Sequence, residues 1–486
     1  MTTTDQVLPW NWEHSYSQLP SRCFSKVAPT PVAAPQLYAF NEAPADELGL
    51  GELITASPEV LAEIFSGNRI PVGAQPLAMA YAGHQFGHLT NLGDGRAILL
   101  GEHIDPAGRR HDIQLKGSGQ TPYSRSGDGR AALGPMLREL LISEAMAALG
   151  IPTTRSLSVV ETGEKVYRNE ALPGAVLVRT AASHLRVGTF VLYAAMEDRE
   201  ALEALLTYTV RRHYPELAAA DNPALALLES VALRQAELVA QWMSVGFVHG
   251  VLNTDNVALS GETIDYGPCA FIDRYHPTAV YSSIDRSGRY AYGNQPGITA
   301  WNLARFAESL LPLIHADRDT AIAQAQEKLT QFEPAYEAAC LKRMGRKLGI
   351  AEPQAADKNL IEDWFNMLEQ HRLDFTNSFR VLAGDDNDER QAMTHADFTA
   401  WRKRLDQRLG SSDPLAVQQL RDASNPRQIP RNHAVQKALD AAEAGDPGPF
   451  FAALAILRRP FASNSETQFS ATPSPGDQVH TTFCGT

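Results

Sequence analysis

Cysteine is scarce in this 486-residue chain: Cys23, Cys269, Cys340 and Cys484 stand far apart, and no CxxC pair occurs. That spacing offers neither a disulfide framework nor a zinc site, and it suits a reducing compartment. Long hydrophobic runs are missing too; none is long enough to cross a bilayer. The opening MTTTDQVLPWNWEH lacks the basic segment and apolar stretch of a secretory signal, and is not the Arg- and Ser-rich, acid-poor pattern of a transit peptide. A cytoplasmic protein without a membrane partner is expected. Positive charge is in deficit: the formal net charge of -13 argues against sequence-independent adhesion to nucleic acid, while leaving room for a local basic pocket for phosphates. What remains is a globular composition, 44% hydrophobic and 20% charged, in a chain sized for roughly two to four domains or lobes. A monomer is the default expectation.

The texture changes along the chain. Residues before about 75 are rich in Pro and Ala, with one helical pattern at SPEVLAEIFSG, where Ser57 can cap and Gly67 can stop the helix. YAGHQFGHLTNLGDGRAILLGEHI reads as two strands around a Gly-Asp-Gly hairpin turn. His84 and His88 have metal-like spacing there, but Gly83 and Gly87 make a helix unfavourable, so both are read as structural. HDIQLKGSG alternates Ile113 and Leu115 with polar residues and predicts a strand ending at Lys116. A second glycine-rich loop, SRSGDGRAALG, leads into a helix over Gly134–Gly150 that is apolar nearly all round, then two more strands, TRSLSVVETG and GAVLVRTAA. From Leu185 onward the periodicity is mostly helical, and the Ser-, Thr- and Pro-rich end SNSETQFSATPSPGDQVHTTFCGT predicts a mobile tail.

This order predicts an α+β, two-lobed protein with its cleft between a strand-rich and a helical lobe. The expected partition is 1–75 extension, 76–184 N-lobe, 185–320 C-lobe with the catalytic and metal-binding loops, 321–455 helical region and 456–486 tail. Lys116 on a strand and Glu139 on the next helix are either an unrelated surface Lys and Glu or, as the element order favours, the pair that kinase-type sites use to hold polyphosphate. In FVHGVLNTDNVALSGETIDYGP, Asn256 and Asp265 are hard oxygen donors on turns, suited to Mg²⁺ or Mn²⁺ beside a nucleotide polyphosphate. Asp255 is left over as a base or orienting carboxylate. Taken singly, these are also ordinary turn residues. Gly93, Gly95 and Arg96 of NLGDGRA suit an anion-cradling loop or a plain tight turn. Asp128 and Gly129 either meet a ligand or shape their loop, and Arg179 and Arg186 either reach into the cleft or are solvated. A kinase catalytic loop places its Asp well before its Asn, as in HRDxxxxN; here the nearest Asp adjoins Asn256, and the kinase base is absent from its place.

Taken together, YAGHQFG, LGDGRA, LKGSGQTPYSRSGDGRA, LRELLISEAM, HGVLNTDNVALSGETIDYGP and NPRQIPRNHAV resemble the selenoprotein O family over most of the chain. The resemblance implies a protein-kinase-like fold carrying a different activity: transfer of AMP from ATP to Ser, Thr or Tyr hydroxyls of protein substrates, with the nucleotide flipped relative to kinases. By that likeness Gly93, Gly95, Arg96, Lys116, Asp128, Gly129, Arg179, Arg186 and Asp265 contact ATP. Glu139 positions Lys116, Asp255 is the base, and Asn256 and Asp265 hold the metal. It also implies redox control through Cys484, third from the end; the segment FIDRYHPTAVYSSIDRSGRY holds no partner cysteine, and Cys269 just upstream is the nearest candidate. An atypical kinase moving the γ-phosphoryl group and an inactive nucleotide-binding scaffold are the alternatives.

Overall fold

The computed structural model describes residues 10–462, 467–474, 476–479 and 481–483. Strand alternation explains its first half. β1 (Phe24–Lys26), β2 (Gln36–Phe40), β3 (Leu77–Met79), β4 (Ala97–Ile104), β5 (Arg110–Lys116), β6 (Arg155–Tyr167) and β7 (Ala171–Ala181) form an antiparallel sheet in the order β1-β3-β4-β5-β7-β6-β2. Trp12–Glu13 adds to β4, and Ala131–Ala132 to β7. Residue 75 is therefore no edge of the sheet, since the chain before it supplies both outer strands.

Ile113 and Leu115 of β5, with Val176 and Val178 of β7, pack against Leu61, Ile64 and Phe65 of the helix Pro58–Phe65. Ser57 caps that helix by accepting from the Val60 amide. Because a strand has a period of two, the intervening Gln114, Lys116, Leu177 and Arg179 must face the other side. There lies helix α1 (Leu133–Ala148), sandwiched as its all-round apolar pattern predicts. Each buried acid on α1 has a cation: Glu139 meets Lys116, and Glu144 meets Arg155 at 2.8 Å. The helices Asn432–Glu443 and Gly448–Leu457 cover α1 from outside.

The second half is helical. Helix α2 (Pro223–Val245) starts at Asn222, which accepts from the Leu225 amide, and stops at Gly246 with φ 74°. Directly after it Phe247–Val248 pairs with Ala270–Phe271, so the chain returns to its starting point and projects residues 249–269 as one loop toward the sheet. The stretch DTAIAQAQEKLTQFEPAYEAACLKRM lies in two helices, Arg318–Leu329 and Phe332–Leu348; Pro334, which has no amide hydrogen, fits the first turn of the second. No helix among the described residues is long and apolar enough to cross a membrane.

Two expectations change. The tight turn of the first hairpin is not Gly93–Gly95 but Phe86–Gly87, between Ala82–Gln85 and His88–Asn91. Gly93-Asp94-Gly95 sits at the hairpin's base, because the Asp94 carboxylate turns inward to accept from the Met79 amide and from Gln114 Nε2, each at 3.1 Å. The tail, expected to be mobile, is docked where described. Phe469 is fully buried, and Thr482 pairs with Ser282 and donates to the Pro268 carbonyl at 2.6 Å. A Ser- and Thr-rich composition hid one buried ring and a set of backbone bonds. Cys484 lies outside the described residues.

Phe469→Ala should lower unfolding stability by about 3 kcal/mol or more, the usual loss for a fully buried ring; a change in urea midpoint worth less than about 1 kcal/mol would show the tail to be loosely held. Lys347 gives a pH test. It is buried over the Phe379 ring at 4.4 Å, and burial, with Arg380 near it, pushes its pKa down to about 7. The unfolded lysine keeps its proton to about pH 10, so between these values the unfolded chain binds more protons and stability rises with pH. Lys347→Met should therefore raise the melting temperature most near about pH 6, with the gain shrinking toward about pH 10. A gain independent of pH would contradict this.

Candidate active site

The inward-facing positions of β5 and β7 place Gln114 and Arg179 directly opposite each other. Arg179 Nε donates to Gln114 Oε1 at 2.7 Å, while the Gln114 amide donates to Asp94. The amide thus ties the base of the hairpin to the arginine. Arg179 Nη1 then reaches Glu139 Oε1 at 3.2 Å and Asp265 Oδ1 at 2.6 Å. Lys116 Nζ bridges Glu139 Oε2 at 2.5 Å and Asp265 Oδ1 at 2.7 Å. Arg186 arrives from the chain leading out of β7: its Nη1 donates to Asp265 Oδ2 at 2.8 Å and to the Asp255 carbonyl at 2.7 Å, and its guanidinium lies over the Tyr81 ring at 4.6 Å.

Asp265 is thus the hub. It holds φ 62°, a left-handed conformation that Asp tolerates better than most residues, and this turns its carboxylate back toward the sheet. The His249 ring nitrogen Nε2 lies 3.0 Å from the carbonyl of Ile264, the preceding residue, bracing the turn from below. Burial alone would raise the Asp265 pKa, but Arg179, Lys116 and Arg186 hold it well below the usual carboxylate range. Two acids beside the cluster behave oppositely. Burial pushes Asp255 and Asp94 up to about 6 in spite of Arg186.

Asp255 is 8% exposed, and its Oδ1 is buried without a hydrogen-bond partner. The hairpin lies across it: a Cβ on Gly83 would stand 2.2 Å from that oxygen, and the His84 amide donates to Thr254 Oγ1. Only glycine permits so close a crossing. Asn256 Nδ2 donates to the Val251 carbonyl at 2.7 Å, which fixes its amide so that Oδ1 is the prong available to a cation.

No cluster of three or more His, Cys, Asp or Glu side chains able to hold a metal occurs among the described residues. A magnesium site serving a polyphosphate needs fewer, one or two side chains with the phosphates completing the shell. Asn256 and Asp265, beside the unpartnered Asp255 oxygen, fit that description.

Not every sequence candidate joins this cluster. Asp128 pairs with Arg168 at 2.9 Å on the exterior, and the Gly129 carbonyl accepts from the Gly119 amide to close its loop. Gly93 and Gly95 make room for Tyr123, whose ring would lie 2.5 Å from a Cβ at 93 and whose carbonyl 2.9 Å from one at 95. The Arg96 carbonyl accepts from the Gly117 amide, next to Lys116. Sequence reasoning missed Gln114, Asp94 and Gly83. Strand parity pointed to Gln114, on the same face as Lys116; nothing local distinguished Gly83.

Gln114→Leu should leave Arg179 Nε without its acceptor and take from Asp94 Oδ2 one of its two donors, the Met79 amide remaining, and lower stability by about 2–4 kcal/mol. Asp94→Asn, which keeps an oxygen there, should lose less than half as much. Equal losses in chemical denaturation would count against the amide link.

The family model of the protein adenylyltransferase SelO matches residues 6–457. A protein nucleotidyltransferase YdiU from Bacillus cytotoxicus is 52% identical over 488 residues, covering 100% of this chain and 99% of that one. One of the same description from Geobacillus kaustophilus is 54% identical over 482 residues, covering 98% and 99%. Among solved structures, ROP2 from Toxoplasma gondii, described as having a protein-kinase fold and no enzymatic activity, matches 70% of this chain and 87% of its own at 12% identity, with a TM-score of 0.24. With a family match over nearly its whole length and relatives more than half identical, this chain belongs to the SelO family of protein adenylyltransferases.

Proposed function

We propose that this protein transfers AMP from ATP to a serine, threonine or tyrosine hydroxyl of other proteins and releases pyrophosphate. The observation that carries this reading is the crowding of three buried cations, Lys116, Arg179 and Arg186, against only two strongly paired carboxylates, Glu139 and Asp265. Such a cluster is costly as a purely structural device, since buried ion pairs contribute little net stability. It makes sense as a receptor for added negative charge.

In this reading the triphosphate enters flipped, with its β- and γ-phosphates among those cations and its α-phosphorus toward the acceptor. The acceptor oxygen bonds to the α-phosphorus, and the bond from that phosphorus to the α–β bridging oxygen breaks. The electron pair leaves with pyrophosphate, whose growing charge Lys116, Arg179 and Arg186 are placed to neutralise. The hydroxyl proton passes to Asp255, whose pKa near 6 leaves it deprotonated at neutral pH yet more basic than an exposed aspartate. A divalent ion held by Asn256 and Asp265 supplies Lewis-acid charge to the phosphate oxygens when bound. Glu139 keeps Lys116 extended toward the site. Arg96, Gly93 and Gly95, and on the outer loop Asp128 and Gly129, complete the nucleotide contacts that family likeness suggests.

Incubation with ATP labelled at either the α- or the γ-phosphate tests this directly. Label from the α-position should become protein-bound; label from the γ-position would mean a kinase, and neither a scaffold. Asp265→Asn keeps a residue suited to positive φ and one accepting oxygen, and in protein whose fold is verified by circular dichroism transfer should fall by about a hundredfold or more. Full activity in that variant would remove Asp265 from the mechanism.

A further inference from the structure

A cavity of about 520 Å³ opens between the hairpin tip at Phe86 and the loop carrying Ser287 and Arg289. It is connected to the Asp255 turn through Tyr290 and through the hairpin. Phe86 packs on Tyr290 with ring centroids 5.4 Å apart, the Tyr290 hydroxyl donates to Asn253, and His84 holds Thr254 through backbone and side chain. Asn253 and Thr254 immediately precede Asp255.

The lining is selective. Arg289 lies with its guanidinium over the Trp301 ring at 4.7 Å, and its buried Nε has no hydrogen-bond partner. A guanidinium held by its flat face presents to a planar anion those in-plane N–H groups that the neighbouring Tyr290 hydroxyl does not engage. No carboxylate lines the cavity, and Arg289 has no ion pair among the described residues. The acid closest along the chain, Asp285, is buried and turned inward, accepting from the Arg289 and Tyr290 amides. Arg286 is exposed one residue before Ser287. The positive field is felt nearby: burial, with Arg305 and Arg289 close, pushes the His84 pKa down. Phe86 and Ile298 add apolar surface, while Ser287 and Asn294 add neutral hydrogen-bonding groups.

We propose that this cavity is the acceptor subsite, receiving an Asp or Glu side chain of the substrate protein that flanks the hydroxyl to be modified. The assignment rests on the AMP-transfer reading and deepens it: Arg289 takes the flanking carboxylate in bidentate fashion, Phe86 and Ile298 receive an apolar neighbour, and the acceptor segment is thereby laid across the Asp255 turn.

The test uses the full-length enzyme, α-labelled ATP and a peptide library with a fixed Ser, Thr or Tyr among randomised flanks. Labelled peptides should be enriched in acidic flanks over lysine-bearing ones by about fivefold, the upper range for a partly exposed ion pair. Arg289→Glu should erase or invert that preference. Label spread without regard to flanking charge, or a preference unchanged in Arg289→Glu, overturns the assignment while leaving AMP transfer intact. A uniform loss on every acceptor together with weaker ATP binding would mean that the cavity serves the nucleotide, and also overturns it. No label in any peptide or protein removes the transfer reading, and this inference with it.

Discussion

One carboxylate, Asp265, accepts from Lys116, Arg179 and Arg186 at 2.6–2.8 Å, and those three cations come from three different stretches of chain. Lys116 ends β5, Arg179 lies on β7, Arg186 follows β7, and Asp265 sits on the loop projected by the helical half. The contact therefore joins the two halves of the molecule, and it does so with charge in a place where water is largely excluded. Arg179 and Arg186 are each 2% exposed. Desolvating such groups is costly unless every donor finds an acceptor. Gln114, Glu139 and the Asp255 carbonyl complete the set for Arg179, Lys116 and Arg186 respectively, although Arg186 Nε is left without a partner. Asp255 Oδ1 is a second buried atom without a hydrogen-bond partner beside this cluster.

The cluster follows from simple periodicities. Alternation on β5 and β7 sends Ile113, Leu115, Val176 and Val178 to one core and Gln114, Lys116 and Arg179 to the other. A slip of one residue would turn the apolar set toward α1 and drive the cations into the apolar core against the helix Pro58–Phe65, so the same packing that stabilises the sheet fixes the direction in which the cations face. Asp265 is positioned by a different device. The two-residue ribbon Phe247–Val248 with Ala270–Phe271 closes the loop, and backbone bonds from Thr154 to Thr263 and from Leu259 to Leu185 sew that loop to the strand-rich half.

Lys116 and Glu139 belong to local patterns, a strand ending in Lys and a sandwiched helix that must pair its acids, and Asp265 to a turn offering hard oxygen donors. The helix Pro223–Val245 falls within the helical periodicity after Leu185, and its start and stop signals are local, Asn222 at one end and Gly246 at the other. What failed to show locally depended on partners far along the chain. The Gly93–Gly95 turn looked like a hairpin tip, yet Asp94 is claimed by Gln114 twenty residues on, and the real tip falls at Phe86–Gly87. Asp128 looked equally suited to ligand or loop, and its fate was decided by Arg168. The tail read as mobile because its composition is polar, whereas its anchorage rests on one aromatic ring and on backbone groups that pair with Tyr281 and Ser283.

The hairpin Ala82–Asn91 has a larger part than its four-residue strands suggest. Its base carries Asp94, which reaches the cation cluster through Gln114; its first strand lies over Asp255 at Gly83; its tip places Phe86 on Tyr290. One small element therefore touches the cation cluster, through Asp94 and Gln114, the candidate base and the cavity proposed for the acceptor. Two-stranded hairpins are marginal in isolation, so this one depends on those contacts for its shape as much as they depend on it. An acceptor segment pressing on Phe86 would act on the element that covers Asp255. In the proposed reading, engagement of the acceptor at Phe86 would reach Asp255 through Gly83, the one position in the strand where no side chain separates the two.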